Sequence, residues 1–177
     1  MNTLEAMAAR YSYRGTYQNT PVPREHLMKI MEAGCAAPSG CNLQTTSFIA
    51  VDDPETLARL HALLRKPVGI TAPAMICVLS QKLSSYHGRY YHVQDYGAAI
   101  ENILLAITDL GYASCWVEGY VTDEHAIGRK MADILHVPEE YDLVAYLPVG
   151  IPAEEGPRVK KKPLTDRAWF NAFRKTQ

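Results

Sequence analysis

Residues 34–45, GCAAPSGCNLQT, end one periodic segment and open the next. The Pro38-Ser39-Gly40 turn stops a helix and delivers Asn42 and Gln44 straight after a tight bend. Amides held on such a turn can read the polar edge of a ligand. Upstream, Arg10-Tyr11-Ser12-Tyr13-Arg14 places two guanidinium groups and a hydroxyl within five positions, and the planar arginine fork matches phosphate oxygens. Together the two clusters point to an anionic, planar ligand.

Working outward, 177 residues suit a single domain spanning 1–177, since a chain of about 150 residues already buries roughly 70% of its unfolded surface. The 18 basic and 19 acidic residues leave no net field to attract nucleic acid or anionic lipid, so an anion site must be local. The start, MNTLEAMAARYS, carries no apolar core of the signal-peptide type, and no apolar run reaches the roughly 18 residues of a membrane span. A cytoplasmic protein is the expectation. Cys35, Cys41, Cys77 and Cys115 form no CxxC pair and read as reduced thiols rather than a zinc ribbon or a redox motif. Cys77, within AMICVL, is expected in the core, and Cys35 and Cys41 are expected to be buried as well.

Apolar periodicity predicts helices over 3–10, 23–36, 54–64, 93–110 and 122–135. Strands are expected at 47–51, 74–79, 113–117 and 143–149. Asp53-Pro54 supplies an N-cap and a first-turn proline, Gly111 a helix stop, and Asp123 and Glu124 suit a helix's positive end. The helix over 93–110 has a broad apolar surface and is expected to be central. The tail ends in Trp169, Phe170 and Phe173, which an arm packed on a partner subunit would cover.

No strand is followed by GxGxxG, so phosphate must be held by side chains rather than by a glycine loop. In an extended Lys160-Lys161-Lys162 run, alternate side chains point the same way. Lys160 and Lys162 could then converge on a phosphate with Arg10, while Lys161 faces elsewhere. Glu118-Gly119 leaves a strand, where glycine lets main-chain N–H groups approach a flat ring. His87 and His92 lack metal-site spacing, and no Ser-His-Asp, Cys-His or paired-carboxylate arrangement is legible. Anion clamps, amides and glycine turns without a nucleophile fit a protein whose cofactor carries the chemistry.

Six motifs in order resemble the FMN-dependent nitroreductase family: Arg10-x-Ser12-x-Arg14, Ala37-Pro38-Ser39-Gly40-x-Asn42-x-Gln44, the helix from Asp95 through Glu101-Asn102-Ile103, Val117-Glu118-Gly119, Leu147-Pro148-Val149-Gly150 and the late Lys-x-Lys-Pro. The resemblance implies an α+β fold with a central, mostly antiparallel sheet flanked by helices. It also implies an intertwined homodimer with exchanged carboxy-terminal arms, FMN as cofactor and NAD(P)H as co-substrate. By the same resemblance Arg10, Ser12, Lys160 and Lys162 hold the FMN phosphate, and Arg14 reaches the pyrimidine edge. Pro38, Ser39, Gly40 and Asn42 approach from the other subunit with Gln44 in support, and the Glu118 N–H and Gly119 face the ring. No catalytic side chain and no metal is implied.

The expected reaction is reduction of the flavin by NAD(P)H, followed by ping-pong reduction of a nitroaromatic, quinone or similar small acceptor. A dehalogenase, a dehydrogenase, a flavin-degrading enzyme and a non-catalytic flavin carrier or sensor stay open as alternatives. The chain departs from the family's pattern in three places. Thr45-Thr46 stands where a Pro-aromatic pair is common, Tyr11 stands where a basic residue often does, and the segment 80–92 is short. Tyr86, Tyr90 and Tyr91 of that segment are therefore expected to serve the substrate pocket.

Overall fold

A computed structural model describes residues 1–64, 66–119, 121–122 and 126–174. The elements follow as α1 (Thr3–Ala9), α2 (Arg24–Cys35), β1 (Thr46–Val51), α3 (Pro54–His61), β2 (Ala74–Ser80), α4 (His92–Asp109), α5 (Ile127–Ile134) and β3 (Asp142–Val149). The strands form an antiparallel sheet in the order β1-β2-β3.

Every residue of β2 is buried, as expected of a strand covered on both faces. The period of two divides its side chains between two cores. Ala74, Ile76 and Val78 face α2 and α4, meeting Ile30, Ile100, Ile103 and Ile107. Met75, Cys77 and Leu79 face α3 and α5, meeting Leu57, Leu60, Ile127 and Met131. Cys77 is thus a core residue, and burial pushes its thiol up to about 12. Asp53 caps α3 by accepting from the Thr56 N–H at 2.7 Å, with Pro54 in the first turn.

α4 is central. Its buried face carries Tyr96, Ala99, Ile100, Ile103, Leu104 and Ile107, and Asn102 ties it to α2 by donating to the Ala33 carbonyl at 3.1 Å. The close approach of the two helices depends on Gly34, where a Cβ would lie 2.8 Å from Ile103 Cδ1 and 2.7 Å from the Phe48 ring.

Two expectations are corrected. Residues 113–117 form isolated bridges, Ala113 to Gly150 and Val117 to Tyr146, rather than a continuous strand. The cause is a change of partner midway, where the Ser114 carbonyl accepts from the Tyr13 N–H at 2.8 Å. The helix expected over 122–135 is the shorter α5, entered through Ala126 at φ 50°; Asp123 and Glu124 lie outside the described residues. Trp169 and Phe173 touch each other at 4.4 Å between ring centroids, yet Phe170 and Phe173 are 90% and 70% exposed on the single chain.

Filling the α2–α4 contact with Gly34→Val should lower the unfolding free energy by about 1–3 kcal/mol, the usual cost of overpacking. Urea denaturation checks this, and an unchanged midpoint would mean that the helices are not pressed together at Gly34.

Candidate functional site: a strained loop and an anion cavity

After Ser39 the chain makes one tight turn, and Cys41, Asn42 and Gln44 all take left-handed backbone conformations at φ 52°, 55° and 50°. Non-glycine residues avoid that region at a cost of order 1–3 kcal/mol each, so the surroundings must hold them there. Asp95, 5% exposed in the first turn of α4, provides the hold. Its Oδ1 accepts from the Gly40 N–H at 2.8 Å and its Oδ2 from the Thr45 hydroxyl at 2.7 Å. The positive end of the helix stabilises that carboxylate, and hydrogen bonds to an ionised acceptor are the strong ones. The Gln44 N–H donates to Ser39 Oγ at 3.0 Å. Gly40 passes so near Tyr91 that a Cβ would fall 2.7 Å from it. Pro38, Ser39, Gln44, Thr46 and Asp95 are on the wall of a cavity of about 220 Å³.

A second cavity, of about 410 Å³, is lined by Arg10, Tyr11, Ser12, Arg14, Arg158 and Lys161 among others. Arg10 leaves α1 and rests 3.3 Å from Glu101 of α4. Ser12 is held by a parallel bridge to Ser114. Arg158 donates to the Ala9 carbonyl at 3.0 Å and lies 4.8 Å over the Tyr11 ring, fastening the tail against this wall. Arg14 is exposed and close enough to Cys115 for its charge to oppose the upward push of burial on that thiol. The alternation expected along the lysines is corrected in register. Lys161 lines the cavity in phase with Pro157 and Val159, and the exposed Lys160 and Lys162 do not.

The Glu118-Gly119 turn follows the last sheet contact, in which Val117 and Tyr146 exchange both main-chain hydrogen bonds at 3.1 and 3.0 Å. The Tyr96 hydroxyl donates to Glu118 Oε1 at 2.8 Å. Gly119 is exposed with open space where a Cβ would be. Nearby segments hold buried polar atoms without a hydrogen-bond partner among the described residues, namely Thr46 Oγ1, Ser114 Oγ and Trp116 Nε1. Orphaned donors and acceptors of this kind call for a ligand or water.

Three sequence-predicted residues, Arg10, Ser12 and Arg14, are therefore brought into one cavity, and Pro38, Ser39 and Gln44 into another that shares no lining residue with the first. Gly40 and Asn42 belong to the same loop as the latter set, whereas Glu118 and Gly119 line neither cavity. Cys35 and Cys41 are exposed, not buried as expected. The left-handed turn at Cys41 directs it outward, and Cys35 is off the packed face of α2 formed by Leu27, Ile30 and Gly34. Tyr86 and Tyr90 are 67% and 48% exposed, and Tyr91 packs on Gly40. Among the described residues no group of three or more His, Cys, Asp or Glu side chains could hold a metal, and no helix is long and apolar enough to cross a membrane. Sequence reasoning missed Arg158, Tyr96 and the role of Asp95. The available signal for Asp95 was an acid in register with the otherwise apolar buried face of the helix.

A two-sided α+β core thus carries a cationic cavity and, apart from it, a strained amide loop, donor sets suited to a phosphate-bearing planar ligand. The family model described as the nitroreductase family matches residues 7–68 and 60–151, and the chain belongs to that family. A protein of Archaeoglobus fulgidus under the provisional name NADH dehydrogenase/NAD(P)H nitroreductase is 31% identical over 154 residues, covering 86% of each chain. One of the same name from Methanothermobacter thermautotrophicus is 32% identical over 158 residues, covering 87% of this chain and 79% of the relative. The crystal structure of a nitroreductase with bound FMN from Bacteroides fragilis superposes over 100% of both chains with a TM-score of 0.74 and 27% identity.

Burial first, and then the Glu118 carboxylate, push the Tyr96 phenol from 10.0 up to about 12. The fold therefore favours the neutral phenol, whose stabilisation is whole below the unfolded value and disappears as pH climbs through the folded one. Ultraviolet titration of wild type minus Tyr96→Phe should reveal a transition at about 12; a difference centred on the ordinary tyrosine value would break the assigned Tyr96–Glu118 contact.

Proposed function

We propose that the chain is an FMN-dependent oxidoreductase that draws reducing equivalents from NAD(P)H and delivers them to a small acceptor such as a nitroaromatic or a quinone. The observation that carries this reading is the cavity walled by Arg10, Ser12, Arg14 and Lys161 in a member of the nitroreductase family. Its donor set fits the cofactor: guanidinium, hydroxyl and ammonium groups match a phosphate monoester of about −1.5 to −2 charge. When bound, FMN would supply the hydride-accepting and hydride-donating chemistry of the reaction.

In this reading Arg10, Ser12 and Lys161 hold the phosphate. Lys161 takes the place that the alternation gave to Lys160 and Lys162. Arg14, exposed at the mouth, presents its charge to the pyrimidine edge and so favours negative charge on the ring. The Glu118 N–H and the bare Gly119 backbone offer the ring close main-chain contact. Pro38, Ser39, Gly40 and Asn42 serve the site of a second copy, with Gln44 behind them. The separation of the two cavities and the exposed aromatic tail both support such a homodimer with exchanged arms. A single open position used in turn by nucleotide and acceptor implies ping-pong kinetics.

Arg10→Ala should weaken FMN binding by about 1.5–3 kcal/mol, roughly ten- to 150-fold, as for loss of a charge-assisted pair. Lys161→Ala should weaken it more than Lys160→Ala does. Fluorescence titration with FMN measures all three, and Arg10→Ala with wild-type affinity would remove the phosphate site from this cavity. Anaerobic NADPH or NADH should bleach the visible bands of the FMN-loaded protein. Bands that persist with both nucleotides would overturn this reading in favour of a flavin enzyme with a different reaction or a flavin carrier.

A further inference from the structure

We infer that Asp95 and Tyr96, consecutive residues at the start of α4, are positioning residues that set the two backbone segments offered to the cofactor. Asp95 sets the 38–44 loop and Tyr96 the 118–119 turn. The inference rests on the FMN reading above. Neighbouring helix positions diverge by about 100° around the axis, so one turn of α4 addresses two segments that are far from it and from each other in sequence. Asp95 reaches 55 positions back to Gly40 and 50 back to Thr45, and Tyr96 reaches 22 forward to Glu118.

The pair costs more than packing alone would require. A buried carboxylate is tolerated only when its oxygens are satisfied, and both oxygens of Asp95 are used on the one loop that holds three left-handed non-glycine residues. The second of those bonds comes from the buried Thr45 hydroxyl. Tyr96 divides its duties: its ring belongs to the core cluster of α2 and α4, and its hydroxyl leaves that core to hold the Glu118 carboxylate. The Glu118 N–H shares its peptide plane with the Val117 carbonyl, which accepts from the Tyr146 N–H at 3.0 Å, and the Glu118 carbonyl accepts from the Val121 N–H at 2.7 Å, so the peptides on both sides of Glu118 are tied and the direction of its N–H is set.

The two positions should therefore fail differently. In the FMN-free protein, Asp95→Asn should speed hydrogen exchange of the Gly40 amide by about tenfold or more, and FMN should bind about tenfold more weakly. Thr45→Val should shift both in the same direction, and Thr45→Ser should leave both near wild type; this pair carries the test if Asp95→Asn does not fold. Tyr96→Phe should leave Gly40 exchange unchanged and FMN affinity within about threefold, while anaerobic bleaching by NADPH slows about tenfold, the scale expected when a reacting pair is misplaced. General destabilisation would move exchange, affinity and bleaching together in every variant, and that pattern overturns the inference. So does wild-type behaviour of Asp95→Asn and Tyr96→Phe in a protein whose wild type binds FMN. A wild type that takes up no FMN removes the functional reading itself, a distinct result visible before any variant is made.

Discussion

A single buried carboxylate supports the part of this molecule that departs most from regular structure. Asp95 holds the Gly40 amide and the Thr45 hydroxyl, and between those two anchors lie Cys41, Asn42 and Gln44 in the left-handed region. Without the anchors the loop would relax, because three non-glycine residues in that conformation cost of order several kcal/mol together. The carboxylate in turn depends on α4. The helix's positive end makes the charge tolerable at 5% exposure, and the helix itself is fixed by the apolar face that runs from Tyr96 to Ile107.

Rigidity and chemistry are thus divided between the packed core and the segments at its margins. The core residues of β2 and α4 make a frame that tolerates no added volume, as the close contact at Gly34 requires. The groups suited to a cofactor are at its margins: Arg10 just beyond α1, the 38–44 loop between α2 and β1, and Glu118-Gly119 just past the last pairing with β3. Each lies outside the regular elements, where side chains and backbone can be turned toward a ligand. The two cavities share no lining residue, and the aromatic tail leaves Phe170 in solvent.

Much of this was legible in the sequence where local rules and burial agree. The periodicity of α4 is long and strong, β2 reads as a continuous apolar run, and Asp53-Pro54 announces α3 without help from tertiary structure. The reading failed where a partner far along the chain decides. Residues 113–117 have the composition of a strand, but Ser114 gives its carbonyl to Tyr13 while its neighbours pair with the sheet near β3. The alternation along the lysines was legible, but not which phase faces the cavity: Lys161 lines it, in a tail that Arg158 fastens to Tyr11 and Ala9 across the whole chain. The Pro-Ser-Gly turn was plain, whereas the carboxylate that holds it lies 55 residues away and looks like an ordinary first-turn acid until the helix is seen to be buried there.

The most direct test of the account is a crystal structure of the protein grown with FMN. The account predicts a homodimer with the FMN phosphate against Arg10, Ser12 and Lys161, and the 38–44 loop of the second copy at the same flavin with its Gly40 amide still on Asp95. A phosphate bound away from Arg10 and Ser12, or a loop that has left Asp95 when the flavin is in place, would contradict it.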